Sequence, residues 1–278
     1  MEQDVVIRDF VALLQPDRDV RAIVLYGSCA RSATEKDAWS DVDLLVVVSE
    51  TAVSRYFPAL DWLKALGEVY AYEQNANQFT LMTRVCFNEF RRLDLIFTTE
   101  SALEQIDSWD SVSFWNGTQS LFSRSTSVDT VLTRKFEHPK PSPISAEQFQ
   151  EMTNRFRFKV TLAVTKVARD DLLIALHLAL DLVRDCSVLA MLLRVRAAGT
   201  NYHRHGGISN DFVTQLQTTE FSYDAPGILD GIELSCIAFD SLAAQWSSEY
   251  ENNCQPLLAA VRLARRSVTN PKALEKRI

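Results

Sequence analysis

Tyr26-Gly-Ser-Cys-Ala-Arg31 and, after a polar stretch, Ser40-Asp-Val-Asp-Leu-Leu-Val-Val-Val48 form the segment from which the fold of this chain can be read. The apolar run that begins at Val42 predicts a buried strand over Val42–Val48, and the shorter run before Gly27 predicts another over Ala22–Tyr26. A strand alternates faces with period two, so Asp41 and Asp43 project the same way and can hold divalent metal between them. Gly27 lets the chain turn tightly while presenting backbone amides to a polyphosphate, and Ser28 adds a hydroxyl donor.

Working outward, Asp4–Leu14 has helical apolar spacing, and Ser49–Leu66 reads as helix interrupted at Pro58. Val69–Tyr72 predicts a strand. Residues 78–87 and 91–98 predict two more, joined as a hairpin at Asn88-Glu-Phe90, where Glu89 is read as turn polarity. The first half is therefore α/β in pattern with a mixed sheet. Within Arg91-Arg-Leu-Asp-Leu-Ile-Phe97, Asp94 stands alone among apolar neighbours on a run expected to pair with the central strand. Burying a carboxylate there is costly without a metal or a hydrogen-bond partner. Asp94 is accordingly read as a metal neighbour and as general base for an acceptor hydroxyl.

Three prolines in Glu137-His-Pro-Lys-Pro-Ser-Pro-Ile-Ser145 make a stiff connection that resists helix formation. The expected organisation is a first domain over 1–136, a Pro-rich linker over 137–144 and a helical substrate-binding domain over 145–278. Ser145 caps a helix reaching about Ala168. A second helix, Asp170 to about Arg196, is apolar over much of its circumference and is expected at the centre of a bundle. Further helices are expected near 208–217, 226–248 and 251–267. His177 and Asp181 lie one turn apart, and with Asp171 they are the helical half's candidates for substrate contact, against the plainer reading of a core histidine and solvated charges. His203 and His205 alternate in Asn201–Gly207 without a third ligand at suitable spacing, which favours a polar loop over a metal site.

The 278 residues suffice for two modest domains, and 47% apolar with 23% charged residues excludes global disorder. Five cysteines, at 29, 86, 186, 236 and 254, show no CxxC and no Cys/His metal spacing, which argues for a reduced compartment. The N-terminus is acidic where a secretory leader needs basic residues, and no apolar run has membrane-spanning length; a cytoplasmic protein is expected. The net charge of −7 is uneven: residues 1–143 hold 14 Lys/Arg against 21 Asp/Glu, residues 144–278 hold 15 of each. An acidic catalytic half favours a cationic substrate, and the missing basic footprint argues against nucleic acid.

Paired carboxylates at a strand start, a Gly-Ser turn before them and a third aspartate on a neighbouring strand are what nucleotidyl transfer needs, with two Mg2+ ions neutralising charge at the α-phosphorus. This Gly27-Ser28, Asp41-Val-Asp43, Asp94 pattern resembles the nucleotidyltransferase fold shared with polymerase β. Phe79–Phe97, the long segment Val164–Asp185 and Thr200-Asn-Tyr-His203 are further similar to the aminoglycoside 6-adenylyltransferases, the streptomycin-modifying group, over roughly residues 10–215.

The resemblance implies an α+β architecture: a polymerase-β-like domain with a mixed sheet, then an all-helical bundle. It implies Mg-ATP-dependent adenylylation of a small, hydroxylated, usually cationic antibiotic. Asp41 and Asp43 match the metal ligands and Asp94 the base; Gly27, Ser28 and Arg31 are the nucleotide-binding candidates. His177 and His203 depart from the acidic residue and the lysine expected there. Alternatives are a lincosamide or other metabolite as acceptor, an RNA or protein acceptor, and a non-catalytic nucleotide-binding protein. The partners expected are ATP and a small acceptor, with no membrane and no nucleic acid, and the protein is expected to be a monomer or homodimer.

Overall fold

The structure is a computed structural model that describes residues 3–30, 37, 39–88, 91–109, 117–134, 144–198, 212–214 and 222–269. Arg31, Glu89, the Asn201–Gly207 loop, most of the linker and most of the helix expected at 208–217 lie outside the described residues. The chain divides into two compact units, Met1–Pro139 and Lys140–Ile278.

The first unit is built on six strands: β1 (Val20–Tyr26), β2 (Val42–Val48), β3 (Val69–Ala76), β4 (Leu81–Phe87), β5 (Arg92–Thr99) and β6 (Gln119–Ser123). Their spatial order is β3-β4-β5-β2-β1-β6, with β2 and β5 parallel and the other pairs antiparallel, the mixed sheet that the sequence predicts. Strand β2 lies at the centre and is covered on both faces, which explains its unbroken apolar run. One face, with Leu44, Val46 and Val48, packs with Leu93, Leu95 and Phe97 of β5 and with Phe10 and Leu14 of helix α1 (Gln3–Leu14). The other, with Leu45 and Val47, packs on Leu103, Ile106, Trp109, Val128 and Val131. Leu44 and Leu45 are both fully buried, each contributing about 1.5–3 kcal/mol by leaving water.

Three local expectations give way. Residues 49–66 do not form one interrupted helix: a 3-10 turn at Glu50–Ala52, the short helix α2 (Val53–Tyr56) and a second 3-10 turn at Asp61–Ala65 succeed one another around Pro58, which has no N–H to continue the ladder. The strand expected from residue 78 begins at Leu81, because the Asn77 side chain accepts from the amides of Phe79 and Thr80, each at 2.8 Å, and closes a turn there. Strand β3, expected to end at Tyr72, continues to Ala76 as the sheet edge. The short β6 was not foreseen.

The second unit is helical as described: α5 (Ala146–Ala168), α6 (Leu172–Ala198), α7 (Ala225–Trp246) and α8 (Gln255–Thr269), numbered after the short helices α3 (Glu100–Leu103) and α4 (Thr126–Leu132) of the first unit. Ser145 and Gln148 form a reciprocal capping box at the start of α5. Phe156 of α5 stacks on Phe239 of α7 with ring centroids 3.9 Å apart, and Ala175, Ala179, Leu182 and Cys186 carry the α6 face into the same core. The expectation that the helix apolar over much of its circumference lies at the centre of the bundle is corrected: on α6 Leu173, Ile174 and Leu180 are exposed, and α7 is the more deeply buried helix.

Candidate active site

The chemistry of the first unit is gathered into a row across one sheet face. Register pairs Glu73 of β3 with Arg84 of β4, Arg84 with Asp94 of β5, Asp94 with Asp43 of β2, and Asp43 with Tyr26 of β1. Every member therefore occupies the same side of the pleat. A second row runs beside it, Ala71 to Cys86 to Arg92, with Asp41 against Arg92. This is the face whose interior half packs through Leu45 and Val47; the aspartates precede those residues on β2.

One carboxylate oxygen from each of Asp41, Asp43 and Asp94 lies within 4.8 Å of the other two, and all three side chains are half-buried. The expected convergence of three acidic groups on neighbouring strands is thus present in the geometry. Like charges this close resist joint ionisation. Asp94 has its carboxyl raised above the ordinary range, first by burial and then by Asp41, while Arg84 and Arg92 oppose the rise. Tyr26 is held well above its ordinary value by burial and then by Asp43, Asp94 and Asp41, so its hydroxyl stays protonated.

Gly27, directly after β1, has φ of +72°, and a β-carbon there would stand 1.9 Å from Oδ2 of Asp43. Glycine is required twice at this position, for the left-handed backbone and for the room it leaves to the carboxylate. Just beyond Ser28, the Cys29 thiol donates to the Asp41 carbonyl at 3.2 Å, tying the turn to the approach of β2. From the opposite side, Gln3 of α1 donates to the carbonyls of Asp37 and Ser40 at 2.9 and 3.2 Å.

Two guanidinium groups enter the site that the sequence did not point to. Arg84 Nε lies 3.1 Å from Asp94 Oδ2, and its Nη1 lies 3.4 Å from Glu73 Oε2. Arg92 Nη2 lies 3.4 Å from Asp41 Oδ2 and donates to the Trp39 carbonyl at 3.2 Å. Asp94, isolated when read along the chain, thus has a cationic neighbour across the hairpin. The signal for Arg84 was its place as the one charge in Leu81-Met-Thr-Arg-Val-Cys-Phe87, but only the hairpin register sets it opposite Asp94.

The helical candidates are placed differently. Asp171 is paired with Lys166 at 2.7 Å. Asp181 accepts from the Lys159 ammonium and from Arg184 at 2.9 Å, and Asp185 accepts from the same Lys159 at 2.7 Å. His177 lies exposed on α6, one turn before Asp181. Among the described residues no helix is long and apolar enough to cross a membrane.

No curated protein matches the chain. Among solved structures, an aminoglycoside 6-adenyltransferase from Bacillus subtilis is similar at 15% identity with a TM-score of 0.39, covering 94% of this chain and 96% of its own. The family model of the streptomycin adenylyltransferases matches residues 2–223, a span that holds all six strands, the three converging aspartates and both long helices α5 and α6. On that match the chain belongs to the streptomycin adenylyltransferase family and is a nucleotidyltransferase.

Proposed function

We propose that this enzyme transfers AMP from ATP to a hydroxyl of a cationic aminoglycoside such as streptomycin, releasing pyrophosphate. The observation that carries the reading is the meeting of three carboxylates within 4.8 Å beside a turn that only glycine fits. Family membership supports aminoglycoside adenylylation as the class of reaction.

The donor set suits magnesium, a hard cation that takes carboxylate oxygens and keeps several waters. Asp41, Asp43 and Asp94 would hold it, and burial followed by the nearby charge of Asp41 raises Asp94, a cost that a divalent cation would relieve. When bound, the ions supply charge neutralisation at the transferring phosphoryl group. Gly27 and Ser28 would meet the triphosphate with backbone amides and a hydroxyl, together with Arg31. Asp94 would take the proton as the acceptor oxygen bonds to the α-phosphorus and the bond to the pyrophosphate oxygen breaks. Arg92 would keep Asp41 in place through its joint hold on that carboxylate and on the Trp39 carbonyl. In the helical domain Asp171, His177 and Asp181 are the candidates for acceptor contact. The domain layout proposed is 1–136, linker 137–144 and 145–278, in a cytoplasmic monomer or homodimer.

The test is pyrophosphate release with magnesium and either ATP or GTP, offered streptomycin, kanamycin-type aminoglycosides and lincosamides in turn. Release with ATP and streptomycin is the expected result. Release with a lincosamide alone would replace the acceptor, and silence across the whole panel would remove the reading.

A further inference from the structure

The row of paired residues has a direction. From the turn at Gly27 it passes Asp43 and Asp94, then Arg84, and ends at Glu73 on the edge strand. Phosphoryl transfer places attacking and leaving oxygens roughly in line. With the triphosphate gripped at the Gly27 end, the acceptor must reach Asp94 from the β4–β3 side. A cleft of about 450 Å³ lies on that side, lined by Asp41, Ala71, Glu73, Arg84, Cys86 and Asp94 among others, a volume in the range of small-molecule sites. The small side chains Ala71 and Cys86, paired across β3 and β4, line this cleft beside the charged row.

The charges in this cleft are unequal. Arg92 is occupied by Asp41, and Arg84 is shared between Asp94 and Glu73. Glu73 has the longer of the two Arg84 contacts, at 3.4 Å, and its side chain is 65% exposed, whereas Asp94 is 22% exposed. Three carboxylates thus face two guanidiniums, and the one most open to solvent is Glu73. Strands are spaced about 4.8 Å apart, so the backbones of Glu73 and Asp94 stand roughly 10 Å apart across β4, and their carboxylates, both on the Arg84 guanidinium, are closer than that. An acceptor ring with its hydroxyl at Asp94 can carry a cationic substituent to Glu73 over that distance.

We infer that the β3–β4 hairpin is the acceptor-reading wall of the enzyme, with Glu73 binding an ammonium or guanidinium group of the acceptor and Arg84 fixing the spacing between Glu73 and Asp94. This rests on the proposed function and names the residues that select its acceptor. Glu73 is a specificity residue, distant from the reacting phosphorus, so its loss falls on acceptor affinity and spares the chemical step.

The experiment compares wild type with E73Q, E73K and E73D, using streptomycin as probe. Steady-state kinetics give KM for streptomycin and for ATP, and calorimetry gives the streptomycin Kd without nucleotide or metal. In E73Q both streptomycin KM and Kd should rise about tenfold, the scale of one lost charge-assisted contact, with kcat and the KM for ATP within about twofold of wild type. E73K should rise further and E73D less than E73Q. Glu73 lies on an exposed edge, so the variants should melt with the wild type, and a circular-dichroism melt checks this. Wild-type turnover with streptomycin and an E73Q protein unchanged in KM and Kd overturns the inference and leaves the proposed function standing. A wild type that neither binds nor adenylylates streptomycin overturns the inference together with that choice of acceptor.

Discussion

Acidic residues are gathered in both units, and the two gatherings are built on opposite terms. On helix α6 and at its start, Asp171, Asp181 and Asp185 each meet a lysine within hydrogen-bonding distance. The hydrogen bond from Lys159 is the largest influence on Asp181 and holds its carboxyl below the ordinary range. At the sheet, Asp41, Asp43 and Asp94 are set against one another, and burial followed by the charge of Asp41 keeps Asp94 above its ordinary value against the opposing pull of Arg84 and Arg92. The helical arrangement minimises electrostatic cost; the sheet arrangement keeps some of it. Strand packing on both faces of β2 supplies the rigidity that holds like charges together, and such retained cost is a feature of functional sites.

The largest effect is expected of Asp94→Asn. Losing the proposed base and metal ligand should lower turnover at least about a hundredfold, while nucleotide binding and the melting midpoint stay near wild type. Near-normal pyrophosphate release from D94N would remove Asp94 from the mechanism. Gly27→Ala should come next: its β-carbon meets Asp43 at 1.9 Å in a left-handed backbone, so turnover should fall about tenfold or more, with about 1–2 kcal/mol of strain visible in urea unfolding. Unaltered kinetics in G27A would mean that Asp43 can yield its position without consequence.

Lys159→Met tests the other side. Its side chain is only 13% exposed, and removing it leaves Asp185 and part of Asp181 without their cation, a loss of about 1–3 kcal/mol in chemical denaturation. A K159M midpoint equal to wild type would show that the helical carboxylates do not depend on the pairing. The smallest effect concerns acid. Because Asp181 is depressed in the folded state, its stabilisation is complete above the unfolded carboxylate value, about 3.9, and is lost as pH falls through the lower folded value. Melting temperatures of D181N should therefore fall less steeply than those of wild type between pH 5 and about 2; parallel slopes would refute the assignment.

Reading along the chain located the parts of the site that are local. The Asp41-Val-Asp43 spacing requires only the two-residue repeat of a strand, and Gly27 announces itself by following an apolar run. The boundaries of α1, α5, α6 and α7 were similarly legible, since capping at Ser145 and apolar periodicity act within a few residues. Residues 49–66 misled because helical spacing was outweighed by Pro58 and by the packing of Tyr56, Trp62 and Phe97 into an aromatic cluster under the sheet. Helix α6 misled because composition records how apolar a helix is but not how many neighbours cover it.

Legible from the residues in order were a metal-suited carboxylate pair, a glycine turn before it, an acidic strand residue whose neighbours lie elsewhere in the chain, and a change to helices after the prolines, because each depends on chemistry within one element. Tertiary structure alone decided the company: that Arg84 stands between Asp94 and Glu73, that Arg92 holds Asp41, and that Lys159 takes up Asp181 and Asp185. The reason is register. Which residues face one another across strands or helices is set by how whole elements bury their apolar faces together, a choice made over the entire core and written at no single position of the chain.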